Sequence, residues 1–284
     1  MNHLAPKEVK DKVEQLLEQK FDNDFKPSKL LDAMKYATLI GGKRIRPELI
    51  VQTGRMLGCI DEDLLFEVSC GFEMCHASTL LIDDLPCMDD DDIRRGELTT
   101  HKVFPLSTTI LAGGCLQIAG TGIVHTVMPS LVPEITQAFG ANGCSYGQEL
   151  DMKAVGTVQD LDYQEEMNSG KTGALLESAV RIGYLCANAP KETTDILDSV
   201  SFKAGLLFQI HNDILDVVGY DGRHGEDARM NKLTTYPNKF GLDEALNKRD
   251  ELFKETISEL KTLSTKYDTT NLENAIEFIA YRDY

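Results

Sequence analysis

Two long segments of this chain, 63–82 and 192–218, are apolar nearly all the way round a helix, and each runs into aspartates near its C-terminal end. A helix with no polar face has to be enclosed by other structure, so these two are expected at the centre of the fold. The rest of the chain supplies the enclosure. Val9, Val13, Leu16 and Leu17 recur at helical spacing, as do Leu30, Leu31, Met34 and Ala37, and the segments 106–127, 160–187, 242–264 and 270–282 also read as helices. Alternating β-branched runs are nearly absent, and the Asn-Gly at 142–143 is not flanked by strands. The expectation is an all-α fold: one domain over 1–284, a bundle of about ten helices around a central cavity.

Bulk properties narrow the function. The 284 residues carry 46 acidic and 29 basic side chains, a formal net charge of −17. Such a surface repels nucleic acid and anionic lipid, so neither is an expected partner, and an anionic substrate would need local cations to reverse the field. Seven cysteines without zinc-site spacing fit a reducing compartment. The N-terminus turns amphipathic at once and offers no signal-peptide core. No apolar run is read as reaching the roughly 20 residues of a membrane span. A cytoplasmic protein without stable membrane insertion is expected.

The chemistry concentrates in four places. In LLIDDLPCMDDDDIRRG, six aspartates fall within ten positions at the end of a helix that has to be buried, followed by Arg94 and Arg95. Carboxylates at a helix C-terminus oppose the helix dipole and repel one another unless a cation neutralises them. Hard divalent ions do so, and Mg²⁺ pairs one or two carboxylates with water and phosphate oxygens. Arginine adds forked donors for more phosphate oxygen. Asp83 and Asp89 are six apart, so a local bulge around Pro86 has to turn Asp89 back toward Asp83. In FQIHNDILD, Asn212 and Asp216 share a helix face with Asp213 beside them, which suggests a second metal-binding helix facing the same cavity. In IGGKRIRP, two glycines precede Lys43, Arg44 and Arg46, an anion pocket at a helix start, with Pro47 placed to open the helix. In GKTGALLE, the lack of an upstream glycine and strand excludes a P-loop; Gly170 and Gly173 suit a kink in a long helix that frees backbone carbonyls. His76 on its own reads as a core histidine.

Taken in order, GGKRIRP, HASTLLIDDLPCMDDDDIRRG, GQELD, KTGALLE, FQIHNDILD and TYP resemble the blocks of the trans-isoprenyl diphosphate synthases over nearly the whole chain. The resemblance implies a homodimer, three Mg²⁺ per active site, and condensation of isopentenyl diphosphate with an allylic diphosphate to give farnesyl or geranylgeranyl diphosphate. It implies that Asp83, Asp84 and Asp89 hold two Mg²⁺ on the allylic diphosphate, with Arg94 and Lys171 also on it, and that Asp213 and Asp216 serve the third. Lys43, Arg46, His76 and Arg95 would bind isopentenyl diphosphate, Lys232 would contact diphosphate, and Gln209 with the backbone at Lys171 and Thr172 would face the carbocation. Ser78 and Thr79 would floor the pocket for the growing tail. Farnesyl-making bacterial relatives usually carry an aromatic residue where this chain has Ser78, and a small residue there implies the longer product. Asn212 departs from the family aspartate, Gly114 from the aspartate of LAGD, and Glu226 falls near the place of a family lysine. These departures leave open a regulatory, diphosphate-binding subunit, and more remotely a terpene cyclase.

Overall fold

The computed structural model describes residues 4–154, 160–219 and 235–282. Helices dominate, and the chain packs as two compact units. The first comprises residues up to Val51 together with Cys59–Ile135; the second comprises Gln52–Gly58 and the chain from Thr136 onward.

In the first unit, α1 (Pro6–Asp24) buries Val9, Val13, Leu17 and Phe21, one residue per turn along a single face. α2 (Lys29–Leu39) starts on Ser28, whose hydroxyl accepts from the Leu31 N–H, the usual satisfaction of an orphan helix donor. α3 (Ile45–Met56) begins here. α4 (Glu62–Asp83) is buried on all sides from Val68 to Ser78, as its lack of a polar face requires. α5 (Thr100–Val103) is a single turn leading into α6 (Leu106–Val127).

α6 lies against α4 so closely that only glycine fits at the crossing. A Cβ on Gly120 would stand 2.3 Å from the Gly71 carbonyl oxygen, and one on Gly71 would stand 2.7 Å from the Gly120 oxygen. Two turns along, Ser78 is buried and its hydroxyl donates to the Gly113 carbonyl at 2.8 Å. α6 also corrects the reading that no apolar run reaches the length of a membrane span. Its 22 residues contain no Asp, Glu, Lys or Arg and are long and apolar enough, by length and composition alone, to cross a bilayer. Interspersed Gly, Ser and Thr dilute the run and hide it from inspection by eye.

A hairpin between these helices escaped the reading of the sequence. β1 (Ile93–Arg94) pairs antiparallel with β2 (Glu97–Leu98), with Arg94 opposite Glu97. Arg95 and Gly96 both have positive φ, 57° and 85°, as a two-residue type I′ turn requires.

The second unit takes in the chain from Thr136, within α7 (Val132–Phe139), which leads to α8 (Cys144–Ala154). α9 (Leu161–Asn168) and α10 (Ala174–Cys186) are two halves of the helix expected over 160–187, joined by a π turn at Ser169–Gly173 in which the Ala174 N–H reaches the Ser169 carbonyl. α8 touches this turn through backbone: a Cβ on Gly147 would stand 1.9 Å from the Lys171 nitrogen. α11 (Lys191–Val218) buries Leu197, Val200, Ala204, Leu207, Ile210 and Ile214 and ends on Gly219 at φ 80°. α12 (Tyr236–Phe240), α13 (Leu242–Leu260) and α14 (Thr270–Tyr281) complete the unit.

Candidate active site

In the first unit the acidic run begins where α4 ends. Asp83 and Asp84 are 9% and 3% exposed. Burial pushes the Asp84 carboxyl above the ordinary range, against the opposing pull of Arg94. That guanidinium lies in the middle of the carboxylates: Arg94 Nη2 is 2.5 Å from Asp84, 3.5 Å from Asp91 and 3.8 Å from Asp83. The expected bulge is present in the backbone, where the Asp89 N–H donates to the Asp83 carbonyl at 3.0 Å. The Asp89 side chain is exposed, and Asp92 at the far end of the run pairs with Lys102 at 2.6 Å.

Among the described residues no three His, Cys, Asp or Glu side chains converge as a metal site. Asp83, Asp84 and Asp91 converge on Arg94 instead. The guanidinium is a stand-in cation: the carboxylates already need one positive charge between them, and their hard oxygen donors suit Mg²⁺.

The glycine-rich loop divides its cations. Arg44 has φ 53° and is 3% exposed. It donates to Glu73 at 2.6 Å, to Glu14 at 3.1 Å and to the Thr38 carbonyl at 2.7 Å. Arg44 is therefore spent inside the fold, which corrects the reading of three cations at an anion pocket. Pro47 is the third residue of α3 rather than its opener, a position whose N–H has no partner within the helix. Arg46 Nη1 lies 3.1 Å from His76 Nε2. A guanidinium only donates, so Nε2 accepts and the histidine proton sits on Nδ1, a buried atom with no hydrogen-bond partner. Burial first, then Arg46 and the other arginines, hold His76 well below its usual pKa, so it is neutral. Arg95 donates to the Gly41 carbonyl and lies across Gly42, where a Cβ would stand 2.6 Å from the guanidinium carbon. Arg46, His76 and Arg95 thus gather around the loop that carries half-buried Lys43.

In the second unit Asp213 is the centre. It is 3% exposed and accepts from the Gln209 amide at 2.7 Å and from the Tyr236 N–H at 3.1 Å. Burial pushes its carboxyl up to about 6. Gln209, Asp213 and Tyr236 line one pocket with Gln164, Glu165 and Phe202, and the Tyr236 hydroxyl donates to Glu165 at 2.7 Å. Asp216 and Thr172 are half-buried. Lys171 pairs with Asp151 at 2.5 Å. Asn212 does not stand with Asp213: its side-chain oxygen accepts from Arg282. Lys232 and Glu226 lie outside the described residues.

The polyprenyl synthetase family model matches residues 27–274. The chain belongs to that family. It is 38% identical to the farnesyl diphosphate synthase of Escherichia coli, across 91% of each chain, and 36% identical to that of Haemophilus influenzae, across 99% of each. An FPP/GFPP synthase from Zymomonas mobilis shares the fold with a TM-score of 0.83 and 27% identity, covering 98% of this chain and 100% of that one.

Three polar groups of this polyprenyl synthetase family member escaped the reading of the sequence. Asp151 lies inside the quoted GQELD block but gained significance only through Lys171, 20 positions away. Glu165 and Arg282 carry no local signal, because their partners Tyr236 and Asn212 are each about 70 positions distant.

The buried Asp213 generates a pH prediction. A carboxyl whose folded pKa is raised contributes stability below its unfolded value, and that stability is lost as pH rises through the folded value. Between about pH 4 and 6 the metal-free protein should lose up to about 3 kcal/mol of stability from this group. Urea unfolding without metal checks it: wild type should lose stability across that window relative to Asp213→Asn, and parallel profiles would refute the assignment.

Proposed function

We propose that this protein is a magnesium-dependent prenyltransferase that condenses isopentenyl diphosphate with an allylic diphosphate, giving farnesyl or geranylgeranyl diphosphate, and that residues 1–284 act as one catalytic domain. The observation that carries the reading is the convergence of three carboxylates on a single arginine at the end of a buried helix, in a chain belonging to the polyprenyl synthetase family.

Asp83, Asp84 and Asp89 would hold magnesium on the allylic diphosphate, and Asp213 with Asp216 would hold the third ion. Bound there, Mg²⁺ supplies positive charge against the diphosphate that departs when the allylic C–O bond ionises. Arg94, released from its carboxylates, supplies forked donors to the same diphosphate, and Lys171 adds a point charge. Lys43, Arg46 and Arg95 would receive isopentenyl diphosphate. His76, held neutral, fixes the Arg46 fork without adding a fourth charge. Gln209 and the π turn at Lys171 and Thr172 direct oriented dipoles toward the allylic cation, in surroundings that exclude water. Lys232 remains a proposed diphosphate contact.

Incubation of the purified protein with Mg²⁺, labelled isopentenyl diphosphate and farnesyl or geranyl diphosphate should give an extended product. Chelation of the metal should abolish it, and Asp84→Asn should lower turnover by about 10²-fold or more, the scale of losing one preorganised charge-stabilising group. No extended product at any protein concentration would refute the proposal.

Ser78 supports the longer product, because its small side chain leaves room along α4. A phenylalanine there finds no space in the α4–α6 seam, where Ser78 is bonded to Gly113, and its ring is forced toward the growing tail. Ser78→Phe should shorten the product, read by separating chain lengths; unchanged length would place the floor elsewhere.

α6 supports a homodimer. Leu106, Ile110, Leu111 and Ile118 are between 47% and 75% exposed along it, an apolar face that a second copy of the chain would cover. Light scattering of Ile118→Asp should give a monomer where wild type gives a dimer, and a monomeric wild type would exclude this role.

A further inference from the structure

The last described residue, Arg282, is 5% exposed and grips α11 from one side. Its guanidinium lies over the Phe208 ring at 4.1 Å and donates to the Ile279 carbonyl at 2.6 Å and to the Asn212 side-chain oxygen. Its own carbonyl accepts from His211 Nε2 at 2.6 Å; a carbonyl only accepts, so that nitrogen carries a proton. Phe208, His211 and Asn212 follow i, i+3, i+4 spacing and share one face of the helix. Gln209, Asp213 and Asp216 follow i, i+4, i+7 spacing on a face centred about 100° round the axis, with Asp216 nearest the Asn212 side.

We propose that Arg282 is a positioning residue for the carboxylates of α11, and that Asn212 is its anchor rather than a metal ligand. The inference rests on the reading of Asp213 and Asp216 as metal ligands. α11 ends only one turn beyond Asp216, at Gly219, so its last turns need a stop against rotation about the helix axis. The clasp of Arg282 on Phe208, His211 and Asn212 is that stop. A buried guanidinium requires acceptors, and the Asn212 oxygen is one of them. The departure of Asn212 from the family aspartate is then a change of duty: the amide oxygen is committed to the C-terminal arginine, and two carboxylates remain on the adjacent face for the metal.

The test uses the full chain and a thermal-shift readout with magnesium and inorganic pyrophosphate as the probe, so turnover is not needed. Asn212→Ala and Arg282→Met should each raise the magnesium concentration for half-maximal stabilisation by about tenfold, the scale of losing a residue that orients a metal ligand. The double variant should shift it no further, because both changes break one contact. Asn212→Asp keeps the acceptor and should restore the wild-type titration to within about threefold, well inside that scale. A shift in Asn212→Ala with a wild-type titration in Arg282→Met would make Asn212 a ligand in its own right and overturn the proposal. So would additive shifts, or no shift in either single variant. A wild type that gains no stability from magnesium and pyrophosphate would overturn the proposed function, and this inference with it; a responsive wild type with any of the other adverse results overturns the inference alone. Melting of the same variants without metal reads the clasp itself: the double variant should melt no lower than the less stable single variant, and additive losses would show that Arg282 and Asn212 do not act together.

Discussion

Placing several carboxylates at the end of a helix with no polar face is the constraint on which the first unit depends. Asp83 and Asp84 cannot retreat into solvent, because α4 is enclosed on every side for most of its length. They cannot stand alone either, since desolvated like charges at a helix C-terminus repel one another and the dipole opposes them. The chain therefore carries its own countercharge. The short hairpin 93–98 exists to bring Arg94 back over the carboxylates, and the turn that makes this possible leaves Arg95 pointing to the glycine loop. One two-residue turn delivers adjacent arginines to two different tasks.

Most of the helical frame was legible in the sequence because helical periodicity is a repeated signal, and the segments 63–82, 106–127 and 270–282 differ from the observed helices by no more than a residue or so. The π turn was legible as a kink, since Gly170 and Gly173 weaken a helix where nothing else would explain them. The hairpin was not, because strands of two residues have no alternation to read; Arg95-Gly96 was its sole trace. Arg44 could have been separated from Lys43 and Arg46 by looking at its partner. Glu73 sits in the middle of an otherwise apolar helix, and a buried carboxylate demands a cation; the structure supplies Arg44. Arg282 was beyond reach, because nothing local in a C-terminal arginine says that it will be buried against a side chain 70 positions earlier.

The two aspartate-bearing helices solve the same electrostatic problem differently. At α4 the carboxylates share a strong cation, Arg94, which any metal has to displace. At α11 Asp213 accepts from two neutral donors, the Gln209 amide and the Tyr236 N–H, and burial raises its pKa to about 6. A cation arriving at α4 exchanges for an existing one, whereas a cation arriving at α11 neutralises a charge that burial penalises. On the proposed reading, metal binding at α11 would therefore relieve more of the local cost of folding.

That difference also explains why rotation matters more at α11. A carboxylate already gripped by an arginine has its orientation set by the ion pair, as Asp84 has through the Arg94 fork. Asp213 accepts from the Gln209 amide and the Tyr236 N–H, neither of them a charged fork, so its direction depends on the helix that carries it. A helix end held on one face by a buried guanidinium and an aromatic ring, with the proposed ligands on the next face, gains that direction from packing. Asn212 suits this duty: its side-chain oxygen accepts from Arg282 and holds that face of the helix, while Asp213 stands on the adjacent one.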